Sequence, residues 1–257
     1  SPRPANKRLR HSTSDPKLRL DDFPHDPAAS LDTDGDTIPD EWNPNMSEDN
    51  STTGLVLDMF PLDPAACLAS DGDGFPDRWN PGMSGEDSTS VPPLVVDDLP
   101  QDPAASLDTD GDGYPDEWNE GMSEANSTTG LHLDAWPDDV AASQDTDGDG
   151  FPDGWNAGMS AEDSTSDPKV ELDAFPDDPA AAVDTDGDGS PDVWNPGMGA
   201  DDSPSDPRLF LDAFPDDPAA AMDTDGDGCP DDWNPGMTEE DSTSEPVLRL
   251  DDFPEDP

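Results

Sequence analysis

The chain is 257 residues long and carries a formal net charge of −55. Leu, Ile, Val and Phe make up 36 residues, about 14% of it, below the roughly 20% under which a highly charged chain cannot bury enough apolar surface to offset its conformational entropy. An ordinary hydrophobic core is therefore excluded, and with only 10 Lys and Arg so is binding to nucleic acid, which needs a basic stripe.

The acid is 53 Asp against 12 Glu. Short Asp side chains suit tight turns and oxygen-ligand loops, so the charge reads as ligand chemistry, with a salt-adapted surface as the alternative. No apolar run is long enough to span a membrane and no signal peptide is visible.

Residues 1–17 form a leader with Ser and Pro. Six of the ten basic residues fall between Arg3 and Arg19, in a solubilising linker or an arm that docks on an acidic neighbour. From Leu18 the chain repeats itself. The segment LRLDDFP at 18–24 recurs from Leu55, Leu94, Leu131, Val170, Leu209 and Leu248, at spacings of 37 or 39 residues. Six repeats result, over 18–54, 55–93, 94–130, 131–169, 170–208 and 209–247, and 248–257 opens a seventh. The first and third end in NSTTG and the others in STSDP-like text. The chain starts without Met and stops inside a repeat, as a processed chain or a segment of a longer one would.

Each repeat opens on LxL, whose period-two alternation predicts a strand of three to five residues. The acidic loop D-x-D-G-D-G-x-P-D-x-W-N follows. In the first repeat its candidate ligands are Asp32, Asp34, Asp36, the carbonyl of Ile38, Asp40 and Asn43, with Thr37 where position 6 is otherwise Gly. In the second, Ala69 replaces the position-1 Asp and leaves Asp71, Asp73, Phe75, Asp77 and Asn80. The third offers Asp108, Asp110, Asp112, Tyr114, Asp116 and Asn119, and the fourth Asp145, Asp147, Asp149, Phe151, Asp153 and Asn156. The fifth has Asp184, Asp186, Asp188, Ser190, Asp192 and Asn195, and the sixth Asp223, Asp225, Asp227, Cys229, Asp231 and Asn234. After each loop an M-S-x-E-D stretch, as at 159–163, suits a single capped helical turn.

Carboxylates at positions 1, 3 and 5 converge on one hard cation when Gly at position 6 allows a sharp turn, and the carbonyl at position 7 completes one side. All-oxygen ligation favours calcium over zinc, and a flexible loop favours calcium over magnesium. Two carboxylates about 6 Å apart repel by roughly 2–3 kcal/mol at an effective dielectric near 20, so four in one loop call for a counter-charge. Acidic turns without metal are the alternative, and six copies in register argue against it. The second loop, short of one carboxylate, is expected to bind most weakly. An EF-hand does not fit: position 12 is Asn rather than Glu, and position 8 is Pro throughout, without an N–H.

The pattern D-x-D-x-D-G-x-x-D-x-x-[DN] resembles the thrombospondin type 3 repeat, including its bacterial and archaeal relatives, over nearly the whole chain from about His11. The resemblance implies a calcium-stabilised, elongated tandem array of irregular loops, very short strands and single helical turns, with one or two Ca2+ per repeat. It also implies an extracellular or cell-surface setting. The animal repeats carry disulfides where this chain has aromatic or Leu residues. The equivalent pairs are Trp42 with Phe60, Trp79 with Leu99, Trp118 with Trp136, Trp155 with Phe175, Trp194 with Phe214, and Trp233 with Phe253. Aromatic packing is expected to replace the covalent link, and a ligand platform is the alternative.

Cys67 and Cys229 sit at different repeat positions, so an internal disulfide is not expected. His11, His25 and His132 are scattered, expected in solvent, and belong to no catalytic constellation; no phosphate loop, nucleophile elbow or zinc spacing is present. Asn45, Asn50 and Asn126 open N-glycosylation triplets. The expected function is an extracellular calcium-binding spacer, stalk or filament subunit at a microbial surface. Its expected partners are calcium, other copies of the chain and glycans. A calcium buffer, a mineral binder and a linker of a larger secreted enzyme or adhesin are the alternatives, and the chain itself is not expected to be an enzyme.

Overall fold

The computed structural model describes residues 19–256. The basic leader, all but Arg19 of its charge, and His11 lie outside the described residues. The chain divides into two units, one ending at Ser106 and the other beginning at Leu107. Both are built from irregular loops. The regular elements among the described residues are four 3-10 turns, Glu48–Asn50, Gly85–Asp87, Glu124–Asn126 and Glu239–Asp241. Two isolated antiparallel bridges, Ala29 with Trp42 and Ala66 with Trp79, complete the list of regular pairings. Among the described residues no helix is long and apolar enough to cross a membrane.

The capped helical turn predicted after each loop forms after the first, second, third and sixth loops, while 161–163 and 200–202 are turns without helix. Ser47 and Asn50, Ser84 and Asp87, and Thr238 and Asp241 make reciprocal capping boxes, because a hydroxyl and a short acceptor three residues apart satisfy each other's end of the turn. The strand expected over LxL does not form among the described residues. In the second repeat the Asp58 N–H donates to the Pro39 carbonyl and the Met59 N–H to the Cys67 carbonyl. These are single bonds to two different loops, so no ladder develops.

Among the described residues no Leu, Ile, Val or Phe is buried, and the interior is made of Ala, Pro, Asp and Ser. Ala28, Ala29, Ala65, Ala66, Ala141 and Ala142 are fully buried, because backbone lies against backbone there. The Asn43 N–H reaches the Ala28 carbonyl at 2.7 Å and the Asn156 N–H reaches that of Ala141 at 2.9 Å. The position-8 prolines, such as Pro39 and Pro152, are also fully buried. Proline has no donor to strand there, and each of these carbonyls accepts the N–H of the next repeat's opening Asp.

The first, second, fourth, fifth and sixth repeats are each closed by one buried carboxylate. Asp26 Oδ2 accepts from the Ser51 and Thr53 hydroxyls and from the Thr52 and Thr53 N–H groups, while its Oδ1 accepts from the Ala28 N–H. Asp63 and Asp139 do the same for 88–90 and 164–166. The connections then differ by repeat length. In the 37-residue repeats Gly54 and Gly130 take φ of 75° and 82°, a region glycine enters without strain. The longer repeats use the cis prolines Pro92, Pro168, Pro207 and Pro246. Both routes end alike: the Leu55 N–H donates to Ser51 Oγ and the Leu94 N–H to Ser88 Oγ.

The expected Trp–aromatic pairs do not stack. The one ring contact among the described residues is Tyr114 with His132, centroids 4.3 Å apart. The seven Trp residues are half-buried. His132, expected in solvent, is half-buried too, with a buried Nε2.

Candidate metal centre

The fourth loop shows the geometry common to the set. Asp145, at position 1, accepts the Gly148 N–H on Oδ1 at 2.7 Å and the Gly150 N–H on Oδ2 at 3.0 Å. It thereby bends the loop around its own carboxylate, as an Asx turn does. Gly148 and Gly150 both need positive φ, 81° and 93°, so position 4 is as constrained as position 6. Asp147, at position 3, accepts the Asp149 N–H on Oδ1, and Asp149, at position 5, accepts the Phe151 N–H. That last bond fixes the peptide at position 7, the place of Ile38, Phe75, Tyr114, Ser190 and Cys229 in the other loops, whose N–H groups are held in the same way.

The carboxylates converge. In the sets Asp32, Asp34 and Asp36; Asp108, Asp110 and Asp112; Asp145, Asp147 and Asp149; and Asp184, Asp186 and Asp188, one oxygen of each residue lies within 4.8 Å of the others. The sixth loop has the same internal bonds, from Gly226, Asp227 and Gly228. One oxygen of each position-3 residue, Asp34, Asp71, Asp110, Asp147, Asp186 and Asp225, is buried without a hydrogen-bond partner. Burial pushes Asp147 up to about 6, and the charges of Asp149, Asp145 and Asp153 add to it. A buried carboxylate oxygen with no donor is costly. These residues therefore fit a cation, which would supply the missing partner.

Positions 9 and 12 are placed otherwise. Asp153 accepts the Thr146 N–H at 2.9 Å and the Thr146 hydroxyl at 2.5 Å, and Asp40, Asp77, Asp116, Asp192 and Asp231 clip position 2 in the same way. They tie the two ends of the loop together. Asn156 turns away from its own loop: its Nδ2 donates to Asp112 Oδ2 of the preceding loop at 2.6 Å. Asn80 reaches Asp36, Asn195 reaches Asp149 and Asn234 reaches Asp188 in the same manner. Asn43 holds the Pro27 carbonyl and the Ser30 hydroxyl. Asn119 falls at the matching place in the third loop.

Two departures keep the loop geometry. Thr37 takes φ 80°, a strained value for a β-branched residue, and its N–H still donates to Asp32. Where Ala69 removes the position-1 carboxylate, the group within 4.8 Å is Asp71, Asp73 and Asp97.

Asp97 belongs to the next repeat, and loop spacing gave no place to it. Its equivalents are Asp58, Asp134, Asp173, Asp212 and Asp251, the Asp of each LxLD opening. Burial pushes Asp58, Asp97, Asp134, Asp173 and Asp212 up to about 7, against the hydrogen bond from the N–H two residues on, and the loop charges of the preceding repeat push further. The signal was present in the sequence as an Asp recurring in every opening segment. Asn45, Asn50 and Asn126 are exposed, and Asn45 takes φ 65° where later repeats have Gly. Cys67 and Cys229 are free thiols.

No family model, no curated protein and no solved structure matches the chain.

Proposed function

We propose that this is an extracellular calcium-binding structural repeat protein, a rigid spacer, stalk or filament subunit at a microbial cell surface, without catalytic activity. The reading is carried by the recurrence, loop after loop, of clustered carboxylates whose position-3 oxygen is buried without a partner. The donors are all hard oxygens on flexible loops, which favours calcium over zinc and magnesium. A bound divalent cation supplies the positive charge that lets these groups stay ionised in a buried place. The chain's own work divides by position. Asp at positions 3 and 5 presents oxygens, Asp at position 1 shapes the turn, and Asp at position 9 fastens the ends.

A calcium buffer would need no order beyond its loops. The bonds from Asn80 to Asp36, Asn156 to Asp112 and Asn195 to Asp149 run from one loop to the next, which supports a mechanical role, since length and stiffness are what stacked repeats provide. The exposed Asn45, Asn50 and Asn126 suit attached glycans. The test is calcium titration of the metal-stripped chain by calorimetry, with small-angle scattering at both ends of the titration. Binding of one or two ions per repeat with contraction of the chain is expected. An identical folded profile in excess chelator and in calcium would overturn the reading.

A further inference from the structure

We infer that each cation site is shared between two repeats: the opening Asp of the following repeat is a ligand of the loop before it, so that the ion fastens consecutive repeats. The inference rests on the calcium reading above and extends the site to residues that lie outside the loop motif.

Three observations converge on Asp58, Asp97, Asp134, Asp173 and Asp212. First, they are between 3% and 6% exposed, and in each one oxygen accepts the N–H two residues on while the other is buried without a partner. Second, their backbone is pinned to the preceding loop. The Asp173 N–H donates to the Pro152 carbonyl at 2.9 Å, and the other four do likewise. Pro152 lies between position 7 and position 9 of the fourth loop, so the Asp is delivered beside the carboxylate cluster by main-chain geometry. Third, in the second loop the convergence is explicit, with oxygens of Asp71, Asp73 and Asp97 within 4.8 Å of one another.

At each boundary, then, consecutive repeats each contribute a buried oxygen without a donor: Asp34 and Asp58, Asp71 and Asp97, Asp110 and Asp134, Asp147 and Asp173, Asp186 and Asp212, and Asp225 and Asp251. Two such carboxylates repel one another, and the charged groups that act most on Asp173 are Asp149, Asp147 and Asp153. One divalent cation satisfies both. The position-12 Asn of the same following repeat donates to the position-5 Asp, at 2.7 Å for Asn195 and Asp149, and so positions that carboxylate from the same side. The dependence has a direction: a loop relies on the repeat after it. The second loop keeps a third carboxylate through Asp97 although Ala69 has removed its first.

The test uses the full chain with calcium alone as the probe. Asp173→Asn and Asp251→Asn keep the size of the side chain and the oxygen that accepts the Phe175 or Phe253 N–H but remove the charge. Asp177→Asn, an exposed carboxylate in the same repeat, is the control. Each of the first two is expected to weaken one site by about tenfold or more, because affinity follows ligand charge, while the other sites keep wild-type affinity. In calcium, Asp173→Asn should also open a protease site within 157–172, and Asp177→Asn should do neither. Asp251→Asn, at a second boundary, guards against a folding failure at the first. If the wild type binds calcium and both variants match it in stoichiometry and affinity, the shared site is overturned and the calcium reading stands. If the wild type binds no calcium, both fall.

Discussion

Two buried aspartates five residues apart, Asp58 and Asp63 and their counterparts in later repeats, occupy opposite environments. Asp63 is 2% exposed, yet its Oδ2 accepts from the Ser88 hydroxyl and the Thr89 and Ser90 N–H groups. Burial opposes its charge, but these donors outweigh it and hold the carboxyl down at about 2. Asp58 is equally buried, has one donor, and faces Asp36, Asp34 and Asp40. The first carboxylate is satisfied by its own repeat and stabilises it outright. The second is a liability until a cation arrives. The same side chain thus serves as an internal fastener or as half of a binding site, depending on how many donors fold around it.

The sharpest way to break this comparison is to remove a fastener. Asp139→Ala strands the Ser164 hydroxyl and the Thr165 and Ser166 N–H groups, at about 1–3 kcal/mol for each buried donor left unpaired. The fourth repeat is expected to lose at least about 3 kcal/mol in urea unfolding even with calcium saturating. Unchanged stability would mean that water replaces the carboxylate and that the two classes of Asp do not differ as described.

Next in size is a pH effect on the metal-free chain. A carboxyl raised to about 7, as at Asp134 and Asp173, destabilises the folded form above its unfolded value of 3.8 and does so fully above 7. A carboxyl lowered to about 2, as at Asp63 and Asp217, contributes stability above 3.8 that is lost as pH falls through 2. The stripped chain should therefore be most compact between about pH 4 and 6 and expand on either side. Scattering across that range would contradict the comparison if compactness rose steadily to pH 8. In calcium the expansion at the alkaline end should vanish.

Smaller still is the cost of copying the natural defect of the second loop into the fourth. Asp145→Ala removes the acceptor of the Gly148 and Gly150 N–H groups but leaves Asp147, Asp149 and Asp173. Calcium affinity at that site should fall by about tenfold rather than disappear, and titration of the variant against wild type measures it. Least affected is Trp155→Ala. Trp155 is half-buried and has no ring partner among the described residues. Its loss should cost under about 1.5 kcal/mol, the low end for truncating a buried side chain, and leave protease resistance in calcium unchanged. Cleavage at the boundary of the fourth and fifth repeats in this variant would restore the aromatic coupling that the sequence suggested.

Much of the molecule was legible before any coordinates. Recurrence of LxLD and of the acidic loop defines the repeats, the shortage of aliphatic residues rules out an ordinary core, and Ser47 with Asn50 or Ser84 with Asp87 announces a capped turn. Each of these is a local property, settled by residues a few positions apart. The position-1, position-3 and position-5 carboxylates converge as their spacing implies, because a loop that short leaves them little choice once glycines at positions 4 and 6 turn it.

What the sequence could not settle is which aspartate meets which partner. Asp40 and Asp153 read as ligands, and folding also gives them a hydroxyl and an N–H at position 2. Asn156 reads as the end of its own loop, but it reaches Asp112, 44 residues back. Asp58 and Asp63 are alike in composition and context. One meets Ser88 and Thr89, more than twenty residues downstream, and the other meets the loop that precedes it. Charge state and ligand role depend on the few ångströms around an oxygen, and in a chain of loops those neighbours come from distant segments. Only the tertiary structure brings them there.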